Sequence, residues 1–373
     1  AKVTVGQTQE VKDDTPLFTF PVEMTFVANG KSETKTVQIS EKQQVSYFHF
    51  SEKPKQFYFD PKNWILKTVK LEVPQDMLLS QLAEGDDVMM RIAAAQALQE
   101  QPSAKVVDAL GSALLKESFW GVQAEIAKVL GKMKTERAMR KLIDGLKVDQ
   151  SKARRAVAES LGAYHNETVV EALTPYAEQD ESYFVESAAN ASLGKTRVDG
   201  VFDTVKASLE KDSFYEVIRS GVFTAFAELD ADEAVPILEE YSARGKPPLA
   251  RAAAAAALGK MGEDRKEARQ RLLDLLRPDE HFRVKLGVIT GFQQLNDAST
   301  VPALKNYAES EPNGMLKRLA NDTARRIQKS QKQSKAVKEL REEMERLRSE
   351  RMYLVSRLEK LESQGKQNGE ESG

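Results

Sequence analysis

Two hydrophobic periods divide the chain. Along residues 1–73 apolar and polar positions alternate, the period of a half-buried strand. Phe18, Phe20, Val22, Met24 and Phe26 fall on one such face. Asn29-Gly30 follows, a pair that tolerates positive φ and predicts a tight hairpin. The runs KTVQIS, VSYFHF, KQFYF and WILKTVKLEV continue the pattern. Roughly six or seven short strands argue an immunoglobulin-like β-sandwich over residues 1–74. Pro21 lies inside one strand pattern, which predicts an edge or bulged strand there. Residues 2–9 begin in mid-pattern and residue 1 is Ala. The expectation is a sandwich truncated at its N-terminal edge, with a processed mature N-terminus as the alternative.

At Pro74 the period changes from 2 to 3.6, and residues 77–329 read as helical and repetitive. The segments RIAAAQAL, VQAEIAKVLG, ARRAVAESLG, VESAANASLG, IRSGVFTAF, ARAAAAAALG and VKLGVITGF align. Their anchors are Leu98, Leu130, Leu161, Leu193, Phe226, Leu258 and Phe292, spaced 31–34 residues apart, and a less regular eighth unit ends near Ile327. The first helices repeat as well: EAVPILEEY and STVPALKNY place Pro236 and Pro302 in a first turn, where the missing N–H is harmless. Acidic or Ser turns precede each second helix and are expected to cap it. They lead into Trp120, Phe184, Tyr215 and Phe282, expected to wedge between repeats as core. The six alanines at 252–257 predict a close helix approach. The period, the Val-Pro-x-Leu starts and the Ala-Leu-Gly ends resemble the HEAT-repeat family in its short bacterial form. That resemblance implies an α-α superhelix, or solenoid, over residues 75–331 that presents a long surface to partners.

A third pattern follows. Over residues 332–364 apolar positions recur in heptads, with Val337, Met344, Arg351 and Leu358 at a, and Leu340, Leu347, Leu354 and Leu361 at d. These eight predict either a coiled-coil homodimer interface or a helix folded back as a cap on the last repeat. Residues 365–373 are polar and glycine-rich, and a frayed, disordered tail is expected.

Composition narrows the chemistry. The net charge is -2, with 30% charged and 41% hydrophobic residues, so nothing draws the whole chain to nucleic acid. There are no cysteines, which excludes disulfides, thiolate metal sites and a cysteine nucleophile. No apolar run is long enough for a membrane span. The three histidines, His49, His165 and His281, are far apart in the repeat map, and no H-E-x-x-H occurs. Phosphate-binding and nucleophile-elbow motifs are missing too. No catalytic, cofactor-binding or metal-binding residue is assigned. A basic run (Lys317, Arg318, Arg325, Arg326, Lys329, Lys332, Lys335, Lys338) contains no aromatic, since none lies between Tyr307 and Tyr353. It reads as a solvated helix rather than a nucleic-acid surface. Asn-x-Ser/Thr sites at Asn166, Asn190 and Asn321 leave the compartment open.

The β-region carries a second resemblance. Gln7-Thr8-Gln9, Phe20-Pro21-Val22 and Phe59-Asp60-Pro61, with Trp64, Leu66 and Lys67, are followed by helical RIAAAQAL. Over residues 1–98 this is similar to the segment after the catalytic domain in the zinc aminopeptidase family that includes alanyl aminopeptidases. In that family the catalytic domain carries H-E-x-x-H, a downstream Glu and G-x-M-E-N. None of these is present; PVEM at 21–24 only echoes the last. The resemblance therefore implies a non-catalytic C-terminal module that shapes and restricts substrate access. Its partners would be an upstream catalytic domain, holding the zinc, and transiently peptides. Phe59 and Trp64 are then expected in the sandwich core and Asp60-Pro61 in a turn. The alternative is a stand-alone HEAT scaffold that binds protein partners.

Overall fold

The computed structural model describes residues 1–12, 15–262, 265–276 and 281–331, together with Val337, Leu340, Glu343, Met344 and Leu347. It divides into two units, residues 1–231 and 232–373.

The first unit opens with β1 (Lys2–Gly6), β2 (Phe20–Ala28), β3 (Lys31–Ile39), β4 (Gln43–Tyr47) and β5 (Gln56–Phe59). β1 pairs antiparallel with β4, and β2 lies between β3 and β5. Asn29 and Gly30 adopt φ of 49° and 69° and close the β2–β3 hairpin at the Ala28–Lys31 pair. Val22, Met24 and Phe26 are buried, as their alternation requires. The Phe26 ring sits 4.8–5.0 Å from those of Phe48, Phe50 and Phe57. β2 is central rather than an edge strand, but β5 pairs only with Met24 to Val27. Pro21 lies beyond that reach, where β2 has a single neighbour.

The expected strand WILKTVKLEV does not form. Asp60, itself buried, accepts hydrogen bonds from the backbone N–H of Trp64 (3.1 Å) and Ile65 (3.0 Å) and from Lys67 Nζ (2.5 Å). A compact turn thus takes up the first N–H groups that a ladder would have used. Trp64 is 77% exposed, Leu66 is fully exposed and Phe59 is half-buried. Trp64 is therefore no core residue. Among the described residues, five strands in a two-stranded and a three-stranded sheet stand where six or seven were expected.

Helices follow in pairs. The first unit holds α1 (Gln75–Glu84), α2 (Val88–Leu98), α3 (Ala104–Lys116), α4 (Trp120–Met133), α5 (Glu136–Gly145), α6 (Ser151–Leu161), α7 (Glu167–Glu178), α8 (Tyr183–Thr196), α9 (Val201–Ala207) and α10 (Val217–Leu229). Each even helix packs on its odd partner, and α2, α4, α6 and α8 each pack on the next even helix. The second unit holds α11 (Ala234–Tyr241), α12 (Pro248–Met261), α13 (Lys266–Leu275), α14 (Phe282–Leu295) and α15 (Val301–Ser310), then a helix over residues 314–331. All seven anchors read from the sequence are fully buried, and Ile327 joins them. The alanine run lets α12 meet α14 closely: a methyl added to Gly287 would fall 2.5 Å from the Cα of Ala252.

Of the heptad positions, Val337, Leu340, Met344 and Leu347 are helical and 47–62% exposed. Arg351, Leu354, Leu358 and Leu361, and the tail 365–373, lie outside the described residues.

Candidate interaction surface

The turn that joins each first helix to its second helix carries the chain's repeated polar chemistry. Arg91, at the start of α2, donates from Nε to Glu117 Oε2 (2.7 Å) and from Nη2 to Glu117 Oε1 (3.1 Å), in the next repeat's turn. Its Nη1 also donates to the carbonyl of Gly85 in its own turn (2.8 Å). Arg154 repeats this arrangement at α6. It donates to both carboxylate oxygens of Asp180 (2.9 and 3.0 Å) and to the carbonyls of Val148 and Asp149 (2.9 and 2.7 Å). At α8 the signs reverse, with Glu186 accepting from Lys211 Nζ (2.7 Å). In the second unit Lys285 donates to Glu311 (2.9 Å). One cation and one anion, 25 or 26 residues apart, thus join consecutive repeats.

These pairs account for the acids in the turns. Asp87 caps α2, accepting from Met89 and Met90, but α4, α6 and α8 begin with no side-chain cap. Glu117 and Asp180 instead accept the backbone N–H of Phe119 and Ser182 while holding the preceding repeat's arginine. Burial alone would raise the Glu117 carboxyl. The hydrogen bonds from Arg91 and from backbone N–H groups outweigh it and hold the carboxyl below the usual range.

The aromatics beside these turns are not core. Trp120 is 38% exposed, Phe184 55%, Tyr215 66% and Phe282 37%. The expected wedge between repeats fails for a geometric reason. Helical side chains lean toward the helix N-terminus, so a residue in the first turn points past the helix end and out of the stack. In the first unit Met89, Phe119, Tyr183 and Phe214 are exposed at neighbouring positions. Four of its five turns therefore present large apolar side chains along one edge. The α5–α6 turn presents cations instead, and these bridge the gap. Lys152 Nζ lies 4.6 Å from the Trp120 ring centre, and Arg155 Cζ lies 5.8 Å from that of Phe184.

Two details shape this edge. Tyr215 and Glu216 both adopt positive φ, 56° and 57°, a conformation that a bulky side chain rarely takes. Ser213 Oγ accepts the N–H of Ile218 there, and Arg219 donates to the carbonyl of Leu209, fixing the turn that carries Phe214 and Tyr215. A shallow hollow of about 540 Å³ is lined by Lys147, Asp149, Arg154, Tyr176, Asp180 and Glu181 among others. Lys147, Asp149 and Glu181 are exposed there, and Arg154 pairs with Asp180 and reaches within 3.9 Å of Glu181, so three carboxylates against two cations leave the lining one net negative charge.

Other sequence candidates are dispersed. His49 follows β4, His165 Nδ1 lies 3.0 Å from the carbonyl oxygen of Thr196, and His281 accepts the N–H of Arg283 at the start of α14. No three metal-ligating side chains converge among the described residues. Asn190 is fully buried and Asn166 caps α7. Lys317, Arg318, Arg325, Arg326 and Lys329 are exposed on their helix, while Lys332, Lys335 and Lys338 lie outside the described residues. No described helix is long and apolar enough to cross a membrane.

By sequence, the chain matches the HEAT repeats family over residues 76–162, 140–222 and 202–286, together more than half of its length. It is a HEAT-repeat protein. No curated protein matches the sequence significantly. Solved structures with similarity to this HEAT-repeat chain include the Escherichia coli protein YibA, at 17% identity and TM-score 0.41, covering 68% of this chain and 93% of that one. Another is the complex of CpcE and CpcF of phycocyanin lyase from Nostoc, at 17% identity and TM-score 0.39, covering 72% of this chain and 97% of that one. A third is Legionella pneumophila aminopeptidase A in complex with aspartic acid, at 10% identity and TM-score 0.49. That match covers 87% of this chain but 47% of the aminopeptidase chain. None of these likenesses assigns a substrate or a partner to this HEAT-repeat chain.

Proposed function

We propose that this chain is a non-catalytic HEAT-repeat scaffold whose turn edge holds a polypeptide segment of a partner, a basic side chain flanked by apolar ones. The observation that carries the reading is the set of exposed aromatics at equivalent positions of the α3–α4, α7–α8 and α9–α10 repeats, from Phe119 to Tyr215. Aromatic side chains offer large contact areas at low entropic cost and are enriched where interfaces are strongest. The hollow's lining carries one net negative charge, which favours a cation, and the exposed rings that begin α4 and α8 supply apolar contacts. A peptide display library panned on the purified chain tests this. Enriched peptides are expected to carry Lys or Arg between apolar residues and to lose about tenfold or more in affinity, ~1.4 kcal/mol, to Trp120→Ala, Phe184→Ala or Glu181→Lys. Enrichment of no such class, or equal binding by the three variants, sinks the reading.

A second reading makes the partner part of the same polypeptide, with this chain as the C-terminal access-shaping module of a zinc aminopeptidase. Its support is the sequence resemblance over residues 1–98, whose carriers are ordered groups here. Gln7 Nε2 donates to the Phe18 carbonyl (2.8 Å) and Gln7 Oε1 accepts the Phe18 N–H (3.0 Å), while Asp60 organises the turn described above. The coding sequence upstream of Ala1 decides it. An in-frame H-E-x-x-H is expected under this reading; a start codon at or just before Ala1 excludes it.

A further inference from the structure

The series of pairs that joins consecutive repeats has a break in the first unit. Arg91 and Glu117, Arg154 and Asp180, and Glu186 and Lys211 stand 25 or 26 residues apart and are bonded. Gln123 and Asp149 hold the same two positions between the first and second of these pairs, and they too stand 26 residues apart. Gln123 is 4% exposed; its Nε2 donates to the Leu114 carbonyl (3.1 Å), and its Oε1 has no hydrogen-bond partner. Asp149 is exposed, and among the described residues its carboxylate neither accepts a hydrogen bond nor joins an ion pair. Lys147 and Lys152 are close to it in the chain, but Lys152 rests on the Trp120 ring and neither is paired with Asp149.

The backbone repeats along with the positions. Gly85 and Glu117 each follow the end of a first helix, with φ and ψ of -64° and 125° and of -66° and 135°. The Gly85 carbonyl accepts from Arg91 Nη1, and the Val148 carbonyl accepts likewise from Arg154. The next carbonyls, of Asp86 and Asp149, accept from the same two atoms at 3.4 and 2.7 Å. In the turn before Gln123 these places belong to Glu117 and Ser118, and neither carbonyl accepts a hydrogen bond among the described residues. The break thus offers acceptors without a donor: the Asp149 carboxylate, two backbone carbonyls and Gln123 Oε1. A guanidinium suits such a set, being a charged, planar fork of five N–H donors that accepts nothing. We propose that an arginine side chain of the partner completes the series here, donating to Asp149 and to the carbonyls of Glu117 and Ser118. This rests on the reading of the turn edge as the partner-binding surface and narrows its basic side chain to arginine. A lysine ammonium is a point charge with three donors and satisfies fewer of these acceptors at once. The exposed Trp120 ring, three residues before Gln123 on α4, offers apolar contact to the arginine's neighbours.

Two measurements on the full chain test this. The first needs no ligand. Gln123→Arg supplies the guanidinium from within, and it is expected to raise the denaturant midpoint when Asp149 is present but not beside Asp149→Asn. Asp149→Asn alone is expected to leave the midpoint unchanged. An effect of Gln123→Arg that does not depend on Asp149 overturns the proposal, because the two positions then do not face one another. The second measurement titrates the peptide acetyl-Phe-Leu-Arg-Leu-Phe-amide, and its lysine and citrulline counterparts, into the chain by calorimetry. Citrulline keeps the shape of arginine without its charge. The arginine form is expected to bind about tenfold or more tightly than the citrulline form, and more tightly than the lysine form. Asp149→Asn and Gln123→Arg are each expected to bring the arginine and citrulline forms level. Equal affinity of the parent for all three peptides overturns the proposal, and the surface reading still stands if Trp120→Ala weakens the three alike. Binding of none of them, or a preference for arginine that survives both variants, overturns the proposal as well.

Discussion

Lys134 and Arg197 end α4 and α8 with φ of 50° and 52°. Helices commonly close in this left-handed conformation on glycine, because a side chain there meets the backbone at a cost of roughly 1–2 kcal/mol. The repeats do carry glycine nearby, at Gly131 and Gly194, but inside the helix. A methyl added to Gly194 would collide with the backbone of Ala225 on α10. Glycine is placed where helices touch, and the cap position is left to a charged residue. Lys134→Gly is therefore expected to stabilise the protein by about 0.5–1 kcal/mol, read as a higher denaturant midpoint at unchanged m-value. Asp60 makes the opposite case, of a side chain whose charge is built into a turn. Burial alone would raise its carboxyl; the ammonium of Lys67 and the N–H groups of Ile65 and Trp64 prevail and hold it below the usual range. The folded state thus binds this proton less readily than the unfolded chain. Its stabilisation is complete above the ordinary carboxylate pKa of about 4 and is lost as pH falls through the lower native value. Asp60→Asn is expected to melt below the parent at pH 7, and the gap in melting temperature should close as pH falls below about 4. A gap independent of pH would remove the carboxylate's charge from the account. In sequence Asp60 reads only as half of an Asp-Pro turn, because the groups it gathers lie ahead of it in a stretch that looks like a strand.

Period, not composition, made the elements legible. Each second helix buries an apolar face against two neighbours, so its pattern survives in every repeat, and the seven anchors from Leu98 to Phe292 all lie in the core. Alternation is weaker information. It says which face a segment would bury, not whether a neighbouring strand exists to receive it, and WILKTVKLEV found none. The exposed edge was misread for a related cause: hydrophobicity of Trp120 and Phe184 argued burial, while their place in a helical first turn decided exposure. The recurrence of an aromatic at or just before the start of four second helices, Trp120, Phe184, Tyr215 and Phe282, was the available signal. The pairs that join repeats were invisible as pairs, because their partners stand 25 or 26 residues apart and change sign at Glu186. Their weight is unequal to that of surface pairs. Arg154 and Asp180 are nearly buried and share two hydrogen bonds, with two carbonyls on the remaining donor. Arg154→Ala leaves Asp180 without its guanidinium, and a loss of about 3–5 kcal/mol is expected. Arg140→Ala, which breaks an exposed pair with Glu136 on α5, is expected to leave the unfolding midpoint unchanged. Equal effects of the two would reject the ranking by burial.

Stacked repeats touch only their neighbours, so stability is a sum of local terms and openings are local as well. The β-region is attached to this stack by few groups. β5 packs on α1, and Gln56 Nε2 donates to the Ser80 carbonyl at 3.3 Å. Between them residues 66–73 form neither helix nor strand, no described strand pairs with them, and only the Val73 carbonyl, at the end, accepts from Gln101 (2.9 Å). Proteases bind their substrates as extended, unpaired backbone, and such a segment needs no unfolding to enter an active site. Two lysines lie in it under different protection. Lys67 is held by Asp60 and Asn63, whereas Lys70 is three-quarters exposed and paired only with the equally open Glu72. Brief treatment with trypsin is expected to nick the native protein first after Lys70. A denaturing gel would then show a fragment of residues 1–70 and one beginning at Leu71, while the two still elute together through the contacts of β5 with α1. An enzyme made for digestion would thereby draw the boundary between the sheets and the helices, in a stretch with which no described strand pairs.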